Sequence, residues 1–439
     1  VFWAKRTHER EFLGGFHAFF AGSVEEGDAE IAGDVGEPSL REFYGCAARE
    51  LFEEVGLRAD PRRFEYLGMW RTPDWLEPRF ETHFFRLHMN DGESVGLEEG
   101  LSEEEFICGE WLEPAEALRR WERGEAFLTT PLERVLQGLA AGDAHPLPLA
   151  HPATQHHIEV VGGVRILPLK TPTLPPATHT NCLVVGTTDF VVIDPGTKEE
   201  AELERLFEVV DDLIVAGSSF RALVLTHEHP DHIGGVKAVL TRYGVPLWCH
   251  RETTERLPID LFADRELEDE EVIELGDGHR LRCLHTPGHA RGHLAFQHEP
   301  SSCVLIGDLV SSTGTIVVDP PEGHMGDYLR SLERILEMEA RALLPSHGWV
   351  ITQPSRHLRY YLDHRREREE EVEEALRLAG RGVTALELVP RVYRDVPPTV
   401  WPLASRSLLA HLEHLVERGV AVRDGEHFRH HAGQKSPDE

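Results

Sequence analysis

The sequence predicts a multidomain protein of α/β and α+β class, and three observations lead there. The chain has 439 residues, about three times the usual domain length, so one hydrophobic core cannot organise it. From residue 158 to about 353, short apolar strands such as Leu183–Val185 and Val191–Ile193 alternate with glycine-punctuated turns and helical segments, as in a layered α/β domain. Proline and alanine punctuation over residues 144–154 (AHPLPLAHPAT) and a charged helical run from Arg356 to Leu378 mark breaks on either side. The expected organisation is a domain over 1–143, a linker over 144–157, a central domain over 158–355, a connecting helix over 356–382, a small domain over 383–432 and a disordered tail over 433–439.

Composition narrows the function classes. With 45 basic and 77 acidic residues, the net charge is −32, and such a chain repels phosphate backbones at long range unless a local surface reverses the sign. DNA is therefore not an expected partner. The acidity is uneven: residues 1–150 carry 15 basic and 31 acidic side chains, whereas residues 373–439 carry 9 and 10. Apolar runs stop far short of the roughly 20 residues that a membrane span needs, so no membrane association is expected. The first ten residues lack the apolar stretch of a secretion signal, and the six cysteines lie far apart with no CxxC pair. A reducing cytoplasm is the expected location. Nothing in the sequence fixes an oligomeric state.

The central domain carries the chemistry. Arg221–Gly235 (RALVLTHEHPDHIGG) is an apolar strand ending in His227, His229, Asp231 and His232. At a strand end, residues two apart point to the same side, so His227 and His229 can grip one metal while Asp231 and His232, in the following turn, face a neighbouring one. Ligand-type residues then recur at later strand ends: His289 in HTPGHARGH, Asp308 in VLIGDLV and His347 in LLPSHGW.

This pattern resembles the metallo-β-lactamase superfamily across residues 158–353 and implies an αββα sandwich. By that resemblance His227, His229 and His289 hold one zinc, Asp231, His232 and His347 hold the other, and Asp308 bridges them. Asp231 is also implied as the catalytic group that orients the attacking water. Nitrogen and carboxylate donors suit zinc, although manganese or iron can occupy a similar site. Two adjacent cations make hydroxide available near neutral pH and stabilise the oxyanion formed on attack. His250, His285, His293 and His324 are expected to support the ligands or lie on the surface, and Asp194 is expected to hold the loop beneath the metals.

The two flanking parts carry resemblances of their own. Residues 384–428 read as three short helices and a hairpin around Asp424 and Gly425. With the stretch GDLVSSTGTIVVDPPEGHMGDYLRSL from Gly307, they resemble the β-lactamase-like protein 2 branch, an endoribonuclease branch whose fold ends in a winged helix. Interleaved Glu413, Glu417, Asp424 and Glu426 favour a scaffold over nucleic-acid binding for that domain. Near the N-terminus, RELFEEVGL (Arg49–Leu57) resembles the second half of the Nudix box, and FFAGSVEEGD (Phe19–Asp28) its beginning. On a helix Glu50, Glu53 and Glu54 fall on one face and can hold Mg²⁺ against a diphosphate, with Arg49 bracing them. Trp70–Phe85 and Trp111–Leu118 are similar to later elements of the coenzyme A diphosphatase branch. The resemblance implies an α/β/α sandwich with Glu53 catalytic. Departures leave its activity open: the box is longer between its halves, Phe20 and Ala21 replace Pro and Gly, and Asp28 stands where Glu is expected.

The sequence thus leads to a dinuclear zinc hydrolase of a small thioester or ester, joined to a Nudix-like domain that would use Mg²⁺. Cleavage of single-stranded RNA, and a catalytically silent binding or regulatory module, remain as alternatives.

Overall fold

The computed structural model describes residues 1–9, 13–35, 37–76, 78–93, 95, 105–148, 155–394 and 396–431. The chain forms two compact units, Val1–Leu167 and Pro168–Glu439. The tail expected over 433–439, and residues 149–154 of the expected linker, lie outside the described residues. Among the described residues no helix is long and apolar enough to cross a membrane.

In the first unit, strand Phe2–Arg6 pairs antiparallel with His17–Ala18 on one side and Phe106–Trp111 on the other. A separate ribbon joins Phe64–Arg71 to Glu81–Leu87. Helices Pro114–Glu122 and Thr130–Ala141 bury Ala117, Trp121, Leu132 and Leu136 with Trp3 and Leu128. Helix Arg41–Val55 stops at Gly56, whose left-handed backbone returns its N–H to the Phe52 carbonyl. The expected linker is not a free connector at its start. Leu147 is buried, and Pro148 O accepts a 2.8 Å bond from Met69 N. Gly68, at φ +122°, lets the Leu147 carbonyl approach so closely that a Cβ would lie 2.6 Å from it. The preceding helix Thr130–Ala141 ends at the left-handed Gly142, and between the prolines that follow an apolar side chain is still buried. The strand Ile158–Val161 falls within the unit Val1–Leu167.

The second unit holds two sheets with helices outside them. In the first, Arg265–Leu267, Leu247–His250, Ser219–Val224 and Asp189–Ile193 lie parallel in that order, and His179–Gly186 follows antiparallel. The inner strands Asp189–Ile193 and His179–Gly186 are buried almost throughout, and Ser219–Val224 over its last half, as a sheet covered by helices on a face requires. The second sheet runs Val272–Glu274, Arg280–His285, Leu294–His298, Cys303–Gly307, Leu343–Pro345. Helix Met325–Glu337 packs on it through Tyr328, Leu332 and Ile335, joined by Leu358, Tyr361 and Leu362 from the long helix Pro354–Ala379.

That long helix starts two residues earlier and stops three residues sooner than the expected 356–382, ending where Gly380 takes a left-handed cap. Its last turns give Val372, Ala375 and Leu376 to the core of the C-terminal part, so one helix serves both cores. There helix Ala385–Val392, opened by a Thr384/Glu387 capping box, precedes helix Trp401–Glu417 and the hairpin Ala421–Asp424/His427–His430. A bridge between Val383 and Phe428 completes the winged-helix pattern. Where three short helices were expected there are two, one of them 17 residues long, joined through a single 3₁₀ turn at Pro398–Val400. Pro402 sits in the first helical turn, where its missing N–H costs nothing, and no breaker follows before Gly419.

One buried acid in the first unit offers a test of the packing. Burial, reinforced by Glu159 and opposed by Arg134 and Arg165, raises the Glu133 carboxyl to about 7. Because its folded value lies above its unfolded one, the native state binds the extra proton, and stability falls as pH rises from about 4.5 through 7. Glu133→Gln should therefore stabilise this unit at pH 8 by on the order of 3 kcal/mol, seen as a higher thermal midpoint, and should change little at pH 4. Equal midpoints at both pH values, followed by calorimetry, would contradict this account of burial.

Candidate metal centre

The sequence places its donors where strands end. His227 and His229 follow the strand Ser219–Val224, and Pro230 opens a one-turn helix, Pro230–Ile233, that swings Asp231 and His232 back to the same side. His289 sits in the turn after Arg280–His285, Asp308 follows Cys303–Gly307, and His347 follows Leu343–Pro345. All seven expected ligands come together in three overlapping groups: His227/His229/His289, His227/His232/Asp308 and Asp231/His232/His347. In the first group His229 Nδ1 lies 2.9 Å from both His227 Nε2 and His289 Nε2. Asp308 Oδ2 is shared, standing 3.5 Å from His232 Nε2, 3.5 Å from His289 Nε2 and 3.3 Å from His347 Nε2. Asp231 Oδ2 is 3.6 Å from His347 Nε2.

The outward nitrogens fix which ring atom faces the centre. Thr226 Oγ1 donates to Asp194 Oδ2 at 2.5 Å, which leaves its lone pairs to accept from His227 Nδ1 at 2.9 Å. His232 Nδ1 meets the same Asp194 oxygen at 2.8 Å, His289 Nδ1 meets Val317 O at 2.7 Å, and His347 Nδ1 meets His179 O at 2.9 Å. Each of these rings thus has its Nδ1 engaged outward and turns Nε2 toward the centre, the orientation a metal requires. Asp194 does what the sequence suggested: buried and at φ +52°, it ties the strand end beneath the centre, accepting also from Thr226 N at 2.8 Å.

Electrostatics divide the rings: burial opposes charge on His232 and His347, but Asp308, joined by Asp194 at His232, outweighs it and raises both, so these two favour a proton that a bound metal would displace. Burial first, and neighbouring imidazoles second, hold His227 far below its ordinary value and His229 at about 3, so both are neutral donors at pH 7. Burial also lowers His289, more than Asp308 raises it. Burial opposes ionisation of Asp308, but His347 and His232 outweigh it and keep it a carboxylate. Two buried atoms in the middle, His232 Nε2 and Asp308 Oδ1, have no hydrogen-bond partner. Unsatisfied polar atoms at such depth are costly, and a cation between them satisfies both. The donors are nitrogen and carboxylate without thiolate, so divalent metal binding fits the residues present.

Spacing named His293 as a support but could not give its partners, and it missed other contributors altogether. His293, expected only to support, is fully buried and accepts from Asp308 N at 2.9 Å, with its other nitrogen on Thr286 Oγ1 at 2.8 Å. Gly307, at φ +58°, is needed there, since a Cβ would lie 2.4 Å from His293 Nε2. The long helix clamps the segment after Asp308: Tyr361 OH accepts from Ser311 N at 3.0 Å, and His357 Nε2 donates to Ser311 O at 3.0 Å. Its charged sequence hid this role, because only one face carries Leu358, Tyr361 and Arg365 inward. His250 and His285 stack on each other with ring centres 4.1 Å apart, outside the three donor groups, and His324 pairs with Glu417.

The Nudix-like residues are arranged differently from the expected carboxylate row. Arg49 Nη1 binds Glu50 at 2.7 Å and Glu53 at 3.0 Å, while its Nε binds the buried Asp28 at 2.9 Å. Glu54 is turned inward and buried, whereas the Glu53 side chain is 54% exposed. Among the described residues these acids do not form a group close enough to share an ion. The backbone of Gly22 approaches Glu50 so closely that a Cβ there would overlap the carboxylate.

Comparison with known proteins agrees with this geometry. Residues 175–347 match the metallo-β-lactamase superfamily and residues 384–429 the β-lactamase-associated winged helix domain. An atrochrysone carboxyl ACP thioesterase of Aspergillus chevalieri is 31% identical over 231 residues, 50% of this chain and 70% of the relative. A β-lactamase-like protein 2 homolog of Drosophila melanogaster is 27% identical over 251 residues, 55% of this chain and 83% of the relative. Among solved structures, a metallo-β-lactamase family protein from Thermus thermophilus superposes with a TM-score of 0.51 at 25% identity, covering 62% of this chain and 99% of its own. By these matches the chain belongs to the metallo-β-lactamase superfamily of metal-binding hydrolases and carries the winged helix associated with it.

Proposed function

We propose that the Pro168–Glu439 unit is a dinuclear zinc hydrolase acting on a small thioester or ester. The observation that carries this reading is the position of Asp308, whose Oδ2 lies 3.3 to 3.5 Å from the Nε2 atoms of His347, His232 and His289, members of both donor sets. His227, His229 and His289 would hold one ion and Asp231, His232 and His347 the other, with Asp308 between. Bound there, the pair supplies hydroxide at neutral pH and stabilises the developing oxyanion. Asp231 is the more open carboxylate, its side chain 16% exposed against 8% for Asp308, and is placed to orient the attacking water. Asp194, Thr226, His293 and the Val317 carbonyl keep the donors from rotating away.

Two observations favour a small substrate over RNA. The net charge is −32, and the second helix of the winged domain, the one that would enter a nucleic-acid groove in such folds, buries Ala410 and His411 within its own unit. The similarity to an acyl carrier protein thioesterase points the same way. RNA cleavage remains the second reading because the β-lactamase-like protein 2 homologs align over most of their own length.

For Val1–Leu167 we infer a Nudix-like unit, supported by the pairing of Glu50 and Glu53 with Arg49 on one helix and the close approach of Gly22. Loading with Mg²⁺ would have to draw these acids away from Arg49.

The purified protein should carry close to two transition-metal ions per chain by elemental analysis, and His227→Ala and Asp308→Ala should abolish hydrolysis and lower that count. Asp194→Asn, which touches no substrate, should weaken metal affinity about 10- to 100-fold. Full activity in a chelator would exclude a metal-dependent reaction.

Substrate class is decided by salt. Thioester turnover should change less than about tenfold between roughly 50 and 200 mM salt, whereas cleavage through several phosphate contacts falls steeply. Salt-sensitive RNA cleavage with untouched acyl-CoA thioesters would establish the second reading instead.

For the first unit, turnover of coenzyme A, NADH or a nucleotide sugar should require Mg²⁺ and disappear in Glu53→Gln while the zinc reaction persists. No Mg²⁺-dependent turnover across that panel would mark the unit as structural.

A further inference from the structure

We propose that the winged helix is a positioning device for the metal centre: helix Trp401–Glu417 holds the segment 317–324 and, through it, the ring of His289. This rests on the reading of the donor cluster as a metal site. The chain of contacts begins at His289, whose Nδ1 is oriented by Val317 O at 2.7 Å. Two residues further on, Asp319 forms an ion pair with Arg406 of the winged helix and accepts a 2.7 Å bond from Gly323 N, closing the segment on itself. The next residue, His324, donates its backbone N–H to Gly288 O at 2.8 Å, beside His289. Its side chain faces two ways: Nδ1 caps helix Met325–Glu337 by accepting from Asp327 N at 3.1 Å, and Nε2 reaches Glu417 Oε1 at 2.7 Å.

The capped helix is itself the seat of the HTPGH turn. Gly288, at φ +135°, lies so close to it that a Cβ would sit 2.3 Å from Tyr328 Cα. Ser331 Oγ donates to Pro287 O at 2.7 Å, and Arg334 Nη1 donates to His285 O at 3.0 Å. A small shift of this helix end therefore carries His289 with it. The winged helix is in turn fastened to the long helix: Glu369 is buried and takes His414 Nδ1 at 2.6 Å together with Arg418. No comparable contact from the winged helix reaches Asp231, His232 or His347 among the described residues, so the two donor sets should respond differently.

The Glu417–His324 and Arg406–Asp319 pairs are partly exposed, with side chains between 27% and 60% accessible. Such pairs contribute little to stability, so removing them tests orientation rather than folding. The experiment measures the affinities of the two metal equivalents by chelator competition with Zn²⁺ and Co²⁺, the Co²⁺ absorption spectrum, the thermal midpoint, and kcat and KM on the best substrate. In Glu417→Leu and in His324→Ala, one equivalent should weaken about tenfold, as is usual when a partner of a ligating histidine is lost, with kcat falling and KM nearly unchanged. The other equivalent should stay within about twofold of wild type. Glu417→Gln, which can still accept from His324, should restore both, and His324→Asn, which caps the helix but cannot reach Glu417, should not.

Equal weakening of both equivalents, or none, overturns the proposal, as does loss that simply tracks the thermal midpoint. Wild-type protein that takes up fewer than two equivalents overturns the dinuclear reading itself, a result distinct from two equivalents left untouched by the variants.

Discussion

Four imidazoles and a carboxylate, those of His227, His232, His289, His347 and Asp308, are buried around one point, and burying polar groups without partners costs several kcal/mol each. That constraint organises the second unit. Each outward-facing ring nitrogen is given an oxygen, from Thr226, Asp194, Val317 or His179, and what is left unsatisfied points inward. The folded chain thus prepares a donor set whose remaining cost only a cation removes, and metal affinity and local order become one property.

The oxygens that orient the rings come from loops, and loops move unless something holds them. Here the holding falls to helices on the outer face of the second sheet. Tyr328 OH donates to Leu309 O at 2.7 Å, Tyr361 binds Ser311 on the same segment, and Arg365 donates to Ile316 O. The long helix continues past this clamp into the winged-helix core through Val372 and Leu376. Metal site, clamp and C-terminal domain therefore form a continuous packed path, in which an apparently separate appendage bears on ligand geometry.

The same path bears on substrate class. A winged helix free to bind nucleic acid would keep its second helix exposed and basic. In this chain that helix buries His411 and engages Glu369 through His414, while its exposed face mixes Arg406 with Glu413 and Glu417. With an overall charge of −32, long-range attraction belongs to cations, and phosphate chains are repelled.

The donors themselves were legible in the sequence. HxHxDH after an apolar strand, and single His or Asp residues at three later strand ends, could be read because strand periodicity and strand ends are local properties of the chain, whereas the αββα arrangement was implied by the family they resemble. The capping box at Thr384 and the stop at Gly380 are local in the same sense. What spacing could not supply were contacts between residues distant in sequence: His293 under Asp308, Val317 behind His289, Tyr361 on Ser311 and Glu417 on His324. The helix Arg41–Val55 makes the point in reverse. A helical wheel puts Glu50, Glu53 and Glu54 together, yet Arg49 and the packing of the unit divide them, leaving Glu53 exposed and Glu54 buried. A periodic pattern determines which residues share a face, whereas tertiary packing decides what that face meets, because the competing charge or carbonyl arrives from elsewhere in the chain.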